Sequence, residues 1–215
     1  VEVDIRHGLP GIDIVGLPDG AVREARDRVR VAVRNSGFTF PDERILVNLS
    51  PAGIRKEGAS YDLAIALGVL TASGQVPVPP VCQAPGQNGH PRIMVLGELS
   101  LRGAVLAAKG VLAAVAGGLK TGVGTFLVPR ENLAEARALR RGRVYGIGSL
   151  REAAALLRGL ARGDEPASAA TPAPRPEAFV PSALGAQRRG VGVAETPGTL
   201  TAPGTAEPPV EDLRD

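Results

Sequence analysis

Ser60 stands at the end of a charged turn, Arg55-Lys56-Glu57-Gly58-Ala59-Ser60-Tyr61-Asp62, that runs straight into the apolar stretch LAIALGVL. Two chemistries are open to a serine there. Its oxygen can accept a hydrogen bond from a free amide of the first helical turn, an N-cap contact of about 1 kcal/mol. Asp62 would then complement the positive end of the helix dipole. Alternatively, the hydroxyl can act as a nucleophile, which requires a base within hydrogen-bond reach. Candidate bases are few. His7 and His90 lie in loop-like stretches and belong to no recognisable triad motif. Lys56, Lys109 and Lys120 could serve only where burial keeps an amine neutral.

A second constellation is cationic. Arg23, Arg26, Arg30 and Arg34 step by three, four and four residues, which places them along one face of a helix. Val22, Ala25, Val29 and Val33 take the neighbouring stripe and give the helix an apolar side to bury. Glu24 and Arg28 are spaced for an i,i+4 pair off the arginine line. Such a row fits a nucleic-acid backbone, because each guanidinium forks onto phosphate oxygens. It equally suits a solvated face, or a contact with acidic residues of a neighbouring subunit. Aromatics are only 3% of the chain and Trp is absent, so base stacking is scarce. Any DNA contact should therefore be salt-sensitive and sequence-neutral.

Other chemistries find no motif. A P-loop needs GxxxxGK[ST] between a strand and a helix. The nearest string, Gly117-Gly118-Leu119-Lys120-Thr121, has a leucine before the lysine and follows a helix. It reads as a helix terminus with glycine in the left-handed position. His7, Cys82 and His90 match no metal-ligand spacing. One cysteine excludes an internal disulfide, which suits a reducing compartment. No signal peptide opens the chain, and no apolar run reaches the ~20 residues of a membrane helix.

The elements that must position these residues alternate. Val1–Arg6 and Ile12–Val15 have period two and read as a hairpin around Gly8 and Pro10-Gly11. A helix follows from Asp19 to Ser36, with Pro18 near its first turn and Gly37 past its end. Arg44–Leu49 is a strand and Ser60–Ser73 a buried helix. Pro77–Pro91 is a loop. Ile93–Leu101 and Ala104–Leu106 read as strands joined at Arg102-Gly103. Gly110–Ala116 reads as a short helix, Gly124–Val128 as a strand, Arg130–Arg137 as a helix and Arg143–Gly146 as a strand. Ser149–Leu160 is a last helix, with Ser149 and Glu152 forming a capping box.

Residues 161–215 change character. PASAATPAPRPEAF and TPGTLTAPGTAEPPVEDLRD are rich in Pro, Ala, Gly and Thr and read as a disordered linker. Residues 1–160 hold 20 Lys and Arg against 14 Asp and Glu, whereas residues 161–215 hold 5 against 8. The front part is mildly basic, which permits nucleic acid as a partner without requiring it.

RKEGASYDLAIALGVL, LGELSLRGAVLAAKGVLAA and FLVPRENLAEA resemble the proteolytic domain of Lon. Matched residue by residue, Ser60 falls on the nucleophile and Gly97-Glu98-Leu99-Ser100-Leu101-Arg102-Gly103 on the hairpin that follows it. The catalytic lysine falls on Leu112, which cannot take up a proton. Lys109 lies three residues earlier and could face the same side only if the helix starts early.

A fuller resemblance covers about residues 1–160. The stretch from GLPGIDIVGLPDG to AIALGVL is similar almost throughout to the amino-terminal, Lon-like domain of the magnesium-chelatase-like AAA+ ATPases, the YifB/ComM family. IVGLPD, RVRVAVRNSGF, VNLSPA and KEGASYDL carry it together. The resemblance implies an α/β (α+β) domain of the ribosomal protein S5 domain 2-like, Lon proteolytic-domain-like fold over 1–160, followed by a disordered tail over 161–215. It implies a cytoplasmic, non-catalytic accessory domain of a hexameric ATPase, a DNA branch-migration helicase of recombination and natural transformation. Its partners would be its own AAA+ module, neighbouring subunits and DNA, with no membrane. ATP and Mg2+ would belong to that module, and no catalytic, cofactor or metal residues are expected in this chain. Family members carry a preceding strand, and an AAA+ module after the linker. Val1 is therefore expected to be a truncated start, and Glu211-Asp212-Leu213-Arg214-Asp215 the approach to the module. Two other classes stay open: a residual Lon-like serine peptidase using Ser60 with Lys109 as base, and a purely structural oligomerisation domain.

Overall fold

The computed structural model describes residues 1–51, 56–79 and 93–164. Cys82, His90, most of the Pro77–Pro91 loop and the tail from residue 165 lie outside the described residues. The described part is mixed α/β.

The first sheet holds β1 (Glu2–Arg6), β2 (Gly11–Val15) and β3 (Arg44–Asn48) in the order β1-β3-β2. The expected hairpin of β1 and β2 is therefore corrected. β3 inserts between them, antiparallel to β1 and parallel to β2. The physical reason lies in burial. Ile45 and Val47 of β3 are fully buried, and the strand with the most deeply buried side chains takes the centre. Glu2, Asp4, Arg6 and Asp13 charge the outer strands, as sheet edges require.

α1 (Gly20–Asn35) packs on this sheet. Its start is set by Asp19, whose Oδ1 accepts the Val22 amide at 2.8 Å. Val22, Ala25, Val29, Ala32 and Val33 form the buried face. Its end is Gly37, at φ +79°. A 3-10 turn (Ala59–Tyr61) leads into α2 (Asp62–Ala72), where seven of eleven residues are buried.

The expected strand Ile93–Leu101 splits at Leu96-Gly97. Its first part, β4 (Ile93–Val95), joins a parallel sheet of order β4-β7-β8 with β7 (Thr125–Pro129) and β8 (Arg143–Ile147). Its second part, β5 (Glu98–Leu99), pairs with β6 (Val105–Leu106) as the expected hairpin. β7 is buried along its whole length, as a central parallel strand covered on both faces should be. Leu127 faces the larger core with α1, α2 and α5 (Leu150–Arg162). Phe126 and Val128 face a smaller core with α3 (Val111–Lys120) and α4 (Leu133–Arg137).

α3 runs past the expected stop. Gly117 and Gly118 are helical, and the left-handed residue is Gly122, at φ +87°. Gly118 is there for packing: a Cβ would come within 2.8 Å of the Phe126 ring. The segment from Arg130 is a 3-10 turn (Arg130–Asn132) before α4. The capping box holds in altered form. Ser149 accepts the Glu152 amide, while Glu152 reaches back to the Gly148 amide at 2.7 Å. Among the described residues, no helix is long and apolar enough to cross a membrane.

One close approach gives a test. Gly16 has φ +99°, and a Cβ there would lie 2.2 Å from the Leu49 carbonyl oxygen, whereas Gly20 has nothing within 4 Å. Gly16→Ala should cost about 3 kcal/mol, from strain and backbone overlap together. Gly20→Ala should leave stability unchanged or raise it by up to about 1 kcal/mol. Urea unfolding of both variants checks the contrast.

Candidate functional site

The turn that presents Ser60 is stitched to its surroundings by backbone. Gly58 takes a left-handed φ of +79°, and its amide donates to Asp19 Oδ2 at 3.0 Å. The Ser60 carbonyl accepts the Gly97 amide at 2.9 Å, and the Leu63 amide returns to the Gly97 carbonyl at 3.0 Å. The start of α2 and the β5–β6 hairpin are thus held as one unit. Tyr61 is half-buried, and burial, helped by the Asp19 charge, raises its phenol pKa above the ordinary value.

Ser60 does not cap α2. Neither the 3-10 turn nor α2 has a side-chain cap. The preceding 3-10 turn places Ser60 inside helical geometry, where a serine oxygen cannot reach the free amides ahead of it.

The residue that organises this corner is Asp62. Its carboxylate is fully buried. Arg28 Nε donates to Oδ2 at 2.9 Å and Arg28 Nη2 to Oδ1 at 3.1 Å. The Leu99 amide adds a third donor at 3.2 Å. Arg28 Nη2 also donates to the Ala21 carbonyl at 2.9 Å. The hydrogen bonds to Asp62 raise the Arg28 pKa further, against the effect of burial. The expected Glu24–Arg28 pair exists but is looser, at 3.6 Å. Sequence reading missed the Asp62–Arg28 clamp. The available signal was a single acidic residue opening an otherwise apolar helix.

The candidate bases sit elsewhere. Lys56 is buried, and its Nζ donates to the Pro51 carbonyl. Lys109 is exposed in a turn before the left-handed Gly110 that starts α3. The helix does not start early, so Lys109 is not on it. Leu112 occupies its first turn and is 41% exposed. Lys120 closes the other end of α3. His7 is solvent-exposed beside Glu43, at 3.3 Å. Among the described residues, none of these groups hydrogen-bonds the Ser60 hydroxyl, and no cluster of three metal-ligating side chains is present.

The arginine stripe does lie on one face of α1. Arg23, Arg26 and Arg34 are exposed, and Arg30 is half-buried. Arg23 reaches the Pro18 carbonyl at 3.4 Å, and Arg26 lies 3.6 Å from Asp27. Arg28, two residues from Arg26, points the opposite way into the clamp.

Comparison with known proteins adds to this geometry. The family described as subunit ChlI of Mg-chelatase matches residues 1–132. The chain is 43% identical over 122 residues to the uncharacterised protein YifB of Escherichia coli, covering 57% of this chain and 22% of that one. It is 35% identical over 159 residues to the competence protein ComM of Haemophilus influenzae, covering 74% and 29%. It is 28% identical over 138 residues to the Lon protease of Mesomycoplasma hyopneumoniae, covering 61% and 15%. The chain spans less than a third of the length of these relatives.

The clamp yields a double-variant test. Asp62→Ala takes the close carboxylate from a partly buried guanidinium, leaving only the looser Glu24 contact, and should cost about 3 kcal/mol. Arg28→Met combined with Asp62→Leu removes both charges and should recover to within about 1 kcal/mol of the parent. Equal losses in the single and double variants, measured by urea unfolding, would show that the charge pair is not the cause.

Proposed function

The chain belongs to the family of subunit ChlI of Mg-chelatase, and from that premise we propose that it is an accessory domain of a larger AAA+ ATPase acting on branched DNA. The parent works as a hexameric helicase in the cytoplasm and serves recombination and natural transformation. The observation that carries this reading is the likeness to a competence protein over 74% of the chain. In this proposal the domain has the Lon-like, ribosomal protein S5 domain 2-like fold. ATP and Mg2+ belong to the AAA+ module of the parent. The domain fixes ring geometry against neighbouring subunits, and the stripe of Arg23, Arg26, Arg30 and Arg34 guides the DNA backbone. Phosphate contacts of this kind position a duplex without reading its sequence.

The Lon likeness favours a second reading, a residual peptidase using Ser60. Against it stand Leu112, at the position matched to the Lon lysine, and Lys109, outside α3. A serine without a base remains a weak nucleophile. A serine-directed phosphonate should leave the chain unlabelled. Labelling that disappears in Ser60→Ala would restore the peptidase reading.

The DNA role is tested in the full-length parent. Arg23→Glu with Arg34→Glu should weaken binding to forked DNA. The slope of log affinity against log salt should become shallower by about two, close to one unit for each phosphate no longer neutralised. Ring assembly should be unchanged. Unaltered DNA affinity would leave a purely structural oligomerisation domain, and a parent without ATP-driven branch migration would end the helicase reading.

A further inference from the structure

The middle of α1 forms one wall of a pocket of about 330 Å³. The loop at Leu9-Pro10, the start of β2 and Arg44 of β3 complete it. Three guanidinium groups line it, those of Arg26, Arg30 and Arg44, against two carboxylates, Asp13 and Asp27. The volume lies at the small end of ligand pockets, which run from about 300 Å³ upward.

The charges are not evenly matched. Asp13 is committed to Arg44, at 2.7 and 3.1 Å. Asp27 lies 3.6 Å from Arg26, and both are well exposed. Among the described residues Arg30 has no carboxylate partner. Its guanidinium lies over the Phe40 ring, 5.7 Å from the centroid, and Phe40 is buried. Among the described residues Arg30 makes no hydrogen bond or ion pair, and its Nε is buried without an acceptor. The cation–π contact favours this placement of the side chain, which lowers the ordering cost of each new bond it makes.

The contrast with Arg158 is informative. Its guanidinium lies over the Phe38 ring at the same 5.7 Å, but its Nη2 donates to the Gln75 carbonyl at 3.0 Å. Among the described residues Arg30 has no such acceptor, and it lines a pocket.

We propose that this pocket is a phosphate-binding site, with Arg30 as the anchor and Arg26 and Arg44 as the further cationic donors. A tetrahedral dianion or a phosphodiester offers several acceptor oxygens to forks that approach from different directions, and charge-assisted forks of this kind are strong. Asp13 and Asp27 keep the empty pocket from excess positive charge and limit affinity for small anions. The inference rests on the reading of the arginine stripe as a DNA-facing surface, and it names the position on that surface that seats a strand phosphate.

The test uses the 215-residue chain with nitrogen-15 arginine, following the Nε–Hε signals by NMR. Inorganic phosphate should shift the signals of Arg26, Arg30 and Arg44 saturably and leave that of Arg158 in place. Arg30→Gln should weaken phosphate binding at least tenfold, and Asp13→Asn should strengthen it. A short forked DNA should displace the phosphate and shift the same three signals. Saturable phosphate shifts that DNA leaves untouched would keep the phosphate site and overturn its service to a strand. No shift at Arg30, or equal shifts at Arg30 and Arg158, would overturn the site itself, whatever the Arg23 and Arg34 variants do to DNA affinity.

Discussion

A carboxylate with no exposed surface has to find its counter-charge inside the protein, and for Asp62 that requirement sets the position of three elements at once. Arg28 supplies the fork from α1, and the Leu99 amide supplies the third bond from β5. Losing Arg28 leaves the buried Asp62 charge uncompensated, which is among the costlier defects a fold can carry. The clamp therefore holds α1 at one rotation about its axis. With Arg28 turned inward beside Val22, Ala25 and Val29, the row of Arg23, Arg26 and Arg34 has to face outward.

Further hydrogen bonds beside the clamp set the posture of the turn before α2. Gly58 binds the cap residue of α1 through Asp19, and Ser60 gives its carbonyl to Gly97. The backbone around Ser60 is thus occupied in joining α1, α2 and the hairpin. Gly103 extends the joint: a Cβ there would meet the Ser36 hydroxyl at 2.0 Å, and its carbonyl receives the Leu150 amide at the start of α5. A serine turn of this shape has a mechanical use whether or not a base stands beside it.

What could be read in the sequence follows the range of the forces involved. The limits of α1 were legible because Asp19 and Gly37 act within a few residues of the chain. β7 was legible because its apolar run, Phe126 to Val128, lies within five consecutive buried residues and needs no partner to be recognised. Strand order was not legible. Gly8 and Pro10-Gly11 allow a tight turn but equally allow a link wide enough to cross β3, and only the burial of Ile45 and Val47 decides between them. The clamp was invisible for a related reason: 34 residues separate its members, and Glu24 offered Arg28 a plausible local partner. At Gly117-Gly118, local rules predicted a stop where Phe126 instead required space.

Arg28 and Arg30 show how little residue type decides alone. They are two positions apart, so about 200° separates them around the helix. One is committed to holding the fold together. The other lies over the Phe40 ring, with no acceptor among the described residues. Arg26, Arg30 and Arg34 are successive i,i+4 neighbours, and like charges at that spacing oppose the helix by a few tenths of a kcal/mol per pair. Lysine or glutamine would cover the same face with comparable helix propensity, and glutamine would do so without repulsion. α1 therefore carries a small, standing electrostatic cost along one side. An anion seated among these forks would remove that cost as it bound, so affinity and helix stability would rise together.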